Sequence, residues 1–296
     1  VLRPPHRSGP RTLMAIDAAT RANLELVRSA AGEKHDSLLA AIDRTVTGAG
    51  ARELHSRIAS PLKDVGAIND RLDAVGFLVG ARLLRDRLRE HLRSTPDMAR
   101  ALPRLAFGRG SPRDLGAIRD GLASASLIAA VLARGADGLG TPRLVAAVAA
   151  RLAAIDAGLG KALSDALDDE LPANRRDGGF IRAGCRGELD QNRALRDDSR
   201  KVLAELQSRY QEATGIKSLK IRHNNVLGYF VEVTASSAKA MSEGASADVF
   251  RHRQTLANVM RYASKELVDI EGRITSAAER ALAIEQEIFA ELAGAI

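Results

Sequence analysis

Apolar residues recur at three- and four-residue spacing through most of the chain, which predicts helix after helix. Asp17 and Thr20 can cap local turns ahead of Leu24 and Leu26, and Asp36 is placed to cap a helix carrying Leu38, Leu39 and Ile42. Gly48 and Gly50 break that run. The next, with Leu54 and Ile58, stops before Pro61, because a proline pushes the residue before it out of the helical region. Asp64 opens another with Ile68, Leu72, Val75 and Leu78, and Leu83, Leu84, Leu88 and Leu92 continue its apolar face. Residues 94–110 are punctuated by Pro and Gly. Residues 111–133 read as a helix, with Ser111 as cap, Pro112 in the first helical position and Asp114 in the first turn, where a carboxylate suits the helix dipole. Residues 134–142 form a Gly-rich loop and 144–167 are helical again. Residues 168–179, polar with Pro and paired Gly, mark a boundary.

One long helix is predicted over 188–214, with a stripe at Leu195, Val202, Leu206 and Tyr210, ended by Gly215. The period then changes. Leu219 and Ile221 alternate with Lys220 and Arg222, His223-Asn224-Asn225 suits a turn, and Tyr229, Val231 and Val233 alternate again. This is the one β-hairpin the pattern supports. Residues 235–246, rich in Ala, Ser and Gly, read as a mobile loop, and a last helix starts near Arg251 and runs past Glu291. In it Leu267, Ile270, Ile274, Ala277, Ala281, Ile284 and Ile288 form a heptad seam that needs a partner helix, and 188–214 is the natural candidate. Helices of ~35–40 residues reach ~50–60 Å. The fold class is therefore mainly α, with a small β-containing module inserted between two long helices that act as its arm.

Composition sharpens this picture. The 296 residues suffice for one large domain or two smaller ones, and the core must rely on Ala and Leu, because aromatics are 3% and Trp is absent. Cys185, the single cysteine, excludes an internal disulfide and fits a reducing compartment. No apolar run approaches the ~20 residues that span a bilayer, and the Pro- and Arg-rich residues 1–12 read as a disordered lead-in rather than a signal peptide. The net charge of +7 favours an anionic partner, nucleic acid first, although basic charge alone also suits a protein with no such partner. The charge is concentrated. Residues 217–261 hold seven Lys and Arg (217, 220, 222, 239, 251, 253, 261) against three Asp and Glu (232, 243, 248), a net +4. Asn224, Asn225, Gln254, Thr255 and Asn258 add neutral donors, a mixture that suits phosphate oxygens better than base edges. The alternative is a solvated polar rim on a small sheet.

Enzymatic chemistry finds little support. The G-x-x-x-x-G-K-[ST] phosphate loop does not occur. The six histidines, at 6, 35, 55, 91, 223 and 252, have no metal-ligand spacing with one another or with Cys185. Asp168-Asp169-Glu170 and Asp197-Asp198 are adjacent carboxylates that point in different directions, and no Ser lies in a nucleophile elbow.

Separated motifs run through nearly the whole chain: Ile16-Asp17-Ala18-Ala19-Thr20-Arg21-Ala22-Asn23-Leu24-Glu25-Leu26, Gly50-Ala51-Arg52-Glu53-Leu54, Pro61-Leu62 and Arg71-Leu72-Asp73-Ala74-Val75. Further on stand Gly108-Arg109-Gly110-Ser111-Pro112-Arg113-Asp114-Leu115, Gly187-Glu188-Leu189-Asp190 and Thr214-Gly215-Ile216 with Leu219-Lys220-Ile221. Asn224, Gly228-Tyr229-Phe230, Arg253-Gln254-Thr255-Leu256-Ala257-Asn258 and Arg261-Tyr262 complete the set. With these residues the chain resembles the MutS family of DNA mismatch-repair proteins, over its core or lever domain and its clamp domain. The resemblance implies a core/lever domain over 13–186, a clamp with its supporting helix over 187–262, and a returning lever helix over 263–296. It implies a clamp that touches the backbone of double-stranded DNA without reading sequence, and a homodimer with a MutL-like partner in the full-length protein, in the bacterial cytoplasm at the nucleoid. Asn224 at the hairpin turn, with Arg253 and Asn258 at the start of the returning helix, match family DNA contacts; Lys220, Arg222, Arg251 and Arg261 join them on charge and placement. Many bacterial relatives carry Lys where this chain has Ala257, which removes one phosphate contact. The family's ATPase domain, with its ATP and Mg, and its Phe-x-Glu mismatch reader are expected outside these residues. Phe230-Val231-Glu232 and Phe289-Ala290-Glu291 lack the reader's context. The expectation is a non-enzymatic DNA-engaging segment with no cofactor of its own. The rivals are a helical scaffold without a nucleic-acid role, a nuclease fragment, and a clamp-less relative acting on ribosomes or recombination.

Overall fold

The capping signals of the first half are realised in the structure, a computed structural model that describes residues 13–134, 140–224, 226–242 and 245–296. The expected lead-in lies outside the described residues. Helix α1 (Ala18–Asn23) starts where Asp17 Oδ1 accepts the Thr20 N–H at 2.9 Å. Helix α2 (Leu38–Ile42) is capped one residue later than expected: Ser37 Oγ accepts the Ala40 N–H, while Asp36 pairs with His35. Helix α3 (Gly48–Ala59) contains the two glycines read as breakers, because Thr47 caps them into its first turn. Helices α4 (Val65–Gly80) and α5 (Arg82–Ser94) part at Ala81, so their apolar positions do not share one face; Leu84 is buried and Leu83 exposed. Helix α6 (Met98–Ala106) occupies the punctuated stretch and accommodates Pro103. Helix α7 (Pro112–Arg134) is followed by α8 (Arg143–Ala153) and α9 (Ala157–Ala166), two helices where one was expected, the second capped by Asp156.

The chain divides into two compact units. The first takes the residues up to Leu167, with Leu171–Ala173 and Leu292–Ile296. Its centre is α7, which packs against α5, α6, α8 and α9 through Leu115, Ile118, Ala125 and Leu132. By length and composition α7 could also cross a bilayer, a stretch of hydropathy that counting unbroken apolar runs misses. A packed core helix meets the same criterion. Its first turn is held by Asp114, which accepts the Ser111 N–H at 2.9 Å, the Ser111 hydroxyl at 3.0 Å and the Arg104 Nε–H at 2.9 Å.

The second unit comprises Asp168–Glu170 and Asn174–Glu291. Helix α10 (Gly187–Thr214) ends on Gly215, whose φ of 70° is the left-handed cap that reverses the chain. Strands β1 (Lys220–Asn224) and β2 (Gly228–Thr234) form the expected hairpin. Residues 235–246 are not the expected loop throughout: a 3-10 turn (Ala235–Ser237) leads into α11 (Ala238–Met241), and α12 (Ala245–Val249) follows. A second hairpin, β3 (Phe250–Thr255) and β4 (Val259–Ser264), then replaces the start assigned to the returning helix, so α13 (Lys265–Ala295) begins fourteen residues later than Arg251. Ser264 Oγ accepts the Leu267 N–H at 3.1 Å and marks its true start. All pairings are antiparallel, in the order β1-β2-β4-β3.

One apolar cluster joins this sheet to both long helices. Leu206 and Tyr210 from α10, Leu219, Val231, Val233 and Tyr262 from the sheet side, and Leu267 and Ile270 from α13 are buried together. The seam of α13 is buried as expected except for Ile274, which is half-buried. On α10 the stripe is rotated: Leu189, Leu203, Leu206 and Tyr210 are buried, whereas Leu195 and Val202 are exposed. Ion pairs fix the antiparallel register of the two helices, from Arg209–Glu266 through Arg193–Glu285 to Arg186–Glu291. Glu285 is buried and accepts Arg193 at 2.7 Å and the Phe180 N–H at 3.3 Å.

Burial pushes the Asp114 carboxyl up, but the bonds from Arg104 and Ser111 outweigh it and hold the group below the usual 3.8. A depressed carboxyl adds stability above its unfolded value, and loses it as pH falls through the folded value. Asp114→Asn is expected to cost about 2 kcal/mol at pH 7. In denaturant unfolding its deficit should shrink below pH 3.8; a gap that stays constant from neutral to acid pH contradicts this account.

Candidate nucleic-acid interface

Strand alternation gives the sheet two faces. Ile221, Val231, Val233, Met260 and Tyr262 turn toward the shared core, and the alternate positions turn away. The outer face carries Lys220 and Arg222 on β1, Phe230 and Glu232 on β2, Arg261 on β4, and Arg251 and Gln254 on β3. Glu232 stands opposite both Lys220 and Arg261. Its Oε1 lies 3.1 Å from Arg222 Nε, and its Oε2 accepts Arg261 Nε–H at 3.1 Å. Arg261 also donates to Gln254 Oε1 at 2.9 Å, and its guanidinium carbon lies 4.5 Å from the centroid of the buried Phe230 ring.

The two hairpin turns lie at opposite ends of the sheet. β2 starts at the β1–β2 turn and finishes beside the β3–β4 turn, which separates the turns by about 20 Å. Asn224 is at the first end. Its Oδ1 accepts the Val226 N–H at 3.0 Å and the Leu227 N–H at 2.7 Å, so the amide builds the turn. That turn abuts α13: Gly228 has φ 69°, and a Cβ placed there would lie 1.9 Å from Glu271 Oε1. Arg253 and Asn258 are near the second end, in a strand and a turn rather than at the start of the helix. Arg253 falls at a bulge between His252 and Gln254, which re-aims its exposed side chain. The Asn258 carbonyl accepts the Ala235 N–H at 3.1 Å.

Exposed Lys217, Lys220, Arg253 and Asn258 thus gather toward one end, with exposed Arg251 further along β3, while Asn224 stays at the other. Four residues that sequence reading did not single out lie near this end of the sheet. Thr234 Oγ1 lies 3.1 Å from Ser236 Oγ and 3.0 Å from Ser237 Oγ, a hydroxyl cluster beside Asn258 that the composition presented only as loop. His252, whose Nε2 is 2.9 Å from Thr255 Oγ1, flanks the bulge. Cations, hydroxyls and amides on this surface can take phosphate oxygens. Among the described residues no three His, Cys, Asp or Glu side chains are grouped so as to hold a metal ion.

The family model for MutS domain III matches residues 19–296. The chain belongs to the MutS domain III family. It is 56% identical over 295 residues to the DNA mismatch repair protein MutS of Azorhizobium caulinodans, covering 100% of this chain and 31% of that relative. It is 52% identical to the proteins of the same name from Nitrobacter winogradskyi and Rhodopseudomonas palustris strain BisA53, covering 99% and 98% of this chain and 32% of each relative. The chain therefore spans about a third of the length of these MutS relatives. The mainly α fold with a small inserted sheet is the architecture that the motifs implied.

The seat of the first turn on α13 is testable. Gly228→Ala adds a left-handed non-glycine residue and drives Glu271 aside, at an expected cost of about 2 kcal/mol in denaturant unfolding. Glu271→Ala should recover only part of that loss. Equal losses from Gly228→Ala with and without Glu271 would show that the two do not meet.

Proposed function

We propose that this chain serves DNA mismatch repair as the duplex-holding arm of a MutS-type protein. In this reading the sheet meets the DNA backbone without reading sequence, and α10 and α13 connect it to an ATPase carried elsewhere in a longer chain. The chain itself does no catalysis and needs no cofactor. Its setting is the bacterial cytoplasm at the nucleoid, in a homodimer that meets a MutL-like partner. The domain limits 13–186, 187–262 and 263–296 are kept as part of this proposal.

The observation that carries the reading is the gathering of Lys217, Lys220, Arg253 and Asn258 toward one end of a sheet whose core is shared with two long helices. Phosphates are spaced regularly and carry no sequence information, so a rigid basic surface suffices to hold them. Of the residues taken from the resemblance, Arg253 and Asn258 fit this role better than Asn224, whose carboxamide oxygen is occupied by its own turn. Arg251 and Lys220 support it from the outer face. The scaffold reading draws on a different observation: Arg222 and Arg261 already have Glu232 as an anionic partner.

Titration of a labelled duplex at several salt concentrations separates the two readings. Backbone contact predicts an affinity that falls with salt, with a log–log slope of about −0.9 for each phosphate neutralised. Arg253→Glu should weaken binding to every sequence alike and flatten the slope by about one. Unchanged affinity would remove Arg253 from the interface, and no salt-dependent binding by the parent chain would sink the reading.

A further inference from the structure

We propose that Glu232 is a resident competitor for the DNA backbone, which holds Arg222 until a phosphate displaces it. The inference rests on the reading that the sheet meets DNA, and it adds a residue of the opposite charge to the interface.

Glu232 is the only carboxylate among the strand residues on the outer face. Its side chain is 15% exposed and lies between two guanidinium groups, one on each neighbouring strand. The two are not equivalent. Arg261 is 20% exposed and is also held by Gln254 and by the Phe230 ring, so it has three reasons to stay. Arg222 is 55% exposed, and among the described residues Glu232 is its one ion-pair partner. Exposed ion pairs are weak, whereas a phosphate offers a guanidinium a comparable acceptor inside a much denser field of negative charge.

Arg222 is thus the exchangeable partner and Arg261 the fixed one. When Arg222 turns to a phosphate, Glu232 keeps Arg261 and faces Lys220 across the ladder, so its charge stays compensated. The face accordingly binds with one cation fewer than its composition suggests until the exchange occurs. Counting Lys and Arg in the sequence overstates what the resting sheet offers.

Glu232→Gln keeps the shape and an acceptor for Arg261 but frees Arg222. In titrations of one fluorescent duplex, this variant should bind several-fold more tightly than the parent, because no ion pair has to be displaced, with a similar log–log salt slope, because Arg222 neutralises the same phosphate in both complexes. Arg222→Gln should cost the parent little and abolish the gain in Glu232→Gln. A parent that binds while Glu232→Gln binds equally or less tightly overturns the inference alone. A parent that does not bind overturns the proposed function and the inference with it. Should Glu232→Gln fold poorly, the nitrogen-15 signal of Arg222 Nε in the parent decides. Movement of that signal on adding duplex, with Arg261 Nε unmoved, supports the exchange. An unmoved Arg222 signal under saturating duplex overturns it.

Discussion

The second unit depends on one apolar cluster that neither the sheet nor the helices could complete alone. A four-stranded sheet with a single apolar face leaves Val231, Val233 and Tyr262 in water unless something covers them. The facing ends of α10 and α13 supply that cover through Leu206, Tyr210, Leu267 and Ile270. Each fully buried Leu or Ile contributes about 1.5–3 kcal/mol, and Leu206 and Leu267 are both fully buried here. Polar bonds then fix its orientation. The Tyr210 hydroxyl lies 2.6 Å from Ser264 Oγ, Gln207 Oε1 accepts the Ile221 N–H at 2.9 Å, and Gln211 donates to the Leu219 carbonyl at 2.8 Å. Burial raises the Tyr210 hydroxyl above its ordinary pKa, with the Ser264 bond opposing it, so the group stays protonated at neutral pH.

From that joint the placement of charge follows. With the inner face largely committed to the core, the basic strand residues Lys220, Arg222, Arg251 and Arg261 lie on the outer face. The order β1-β2-β4-β3 sets one turn against α13 and the other at the far end of the sheet. This is why Asn224 and Asn258, alike in type and each beside or in a hairpin turn, have different surroundings. It is also why Glu232 can reach two arginines: a central strand has a neighbour on each side.

The legible parts of the chain were those with an undisturbed period. Leu219 to Arg222 and Tyr229 to Val233 alternate cleanly, and the seam of α13 keeps its pattern for three heptads, so both are readable in the sequence. The β3–β4 hairpin was not, because Arg251, His252 and Arg253 give three polar residues in a row at the sheet edge and the bulge shifts the alternation. Helix-forming Leu256, Ala257 and Met260 then extend a helical pattern backwards from α13. Ser264, followed by Glu266, was the local signal that could have fixed the boundary. The α10 stripe was rotated by Leu195 and Val202, apolar residues left exposed, while Leu189 and Leu203 turn inward. The double commitment of Glu232 depends on cross-strand register, which charge counting cannot supply.

Native-state hydrogen exchange tests the shared cluster most directly. If the sheet and the helix ends are one cooperative body, the amides of Val231, Val233 and Tyr262 should open with the same free energy as those of Leu206 and Ile270, and Leu206→Ala should lower all of them together. Sheet amides that exchange by a separate, lower-energy opening while the helices stay protected would contradict the claim that strands and helices are welded by a common core.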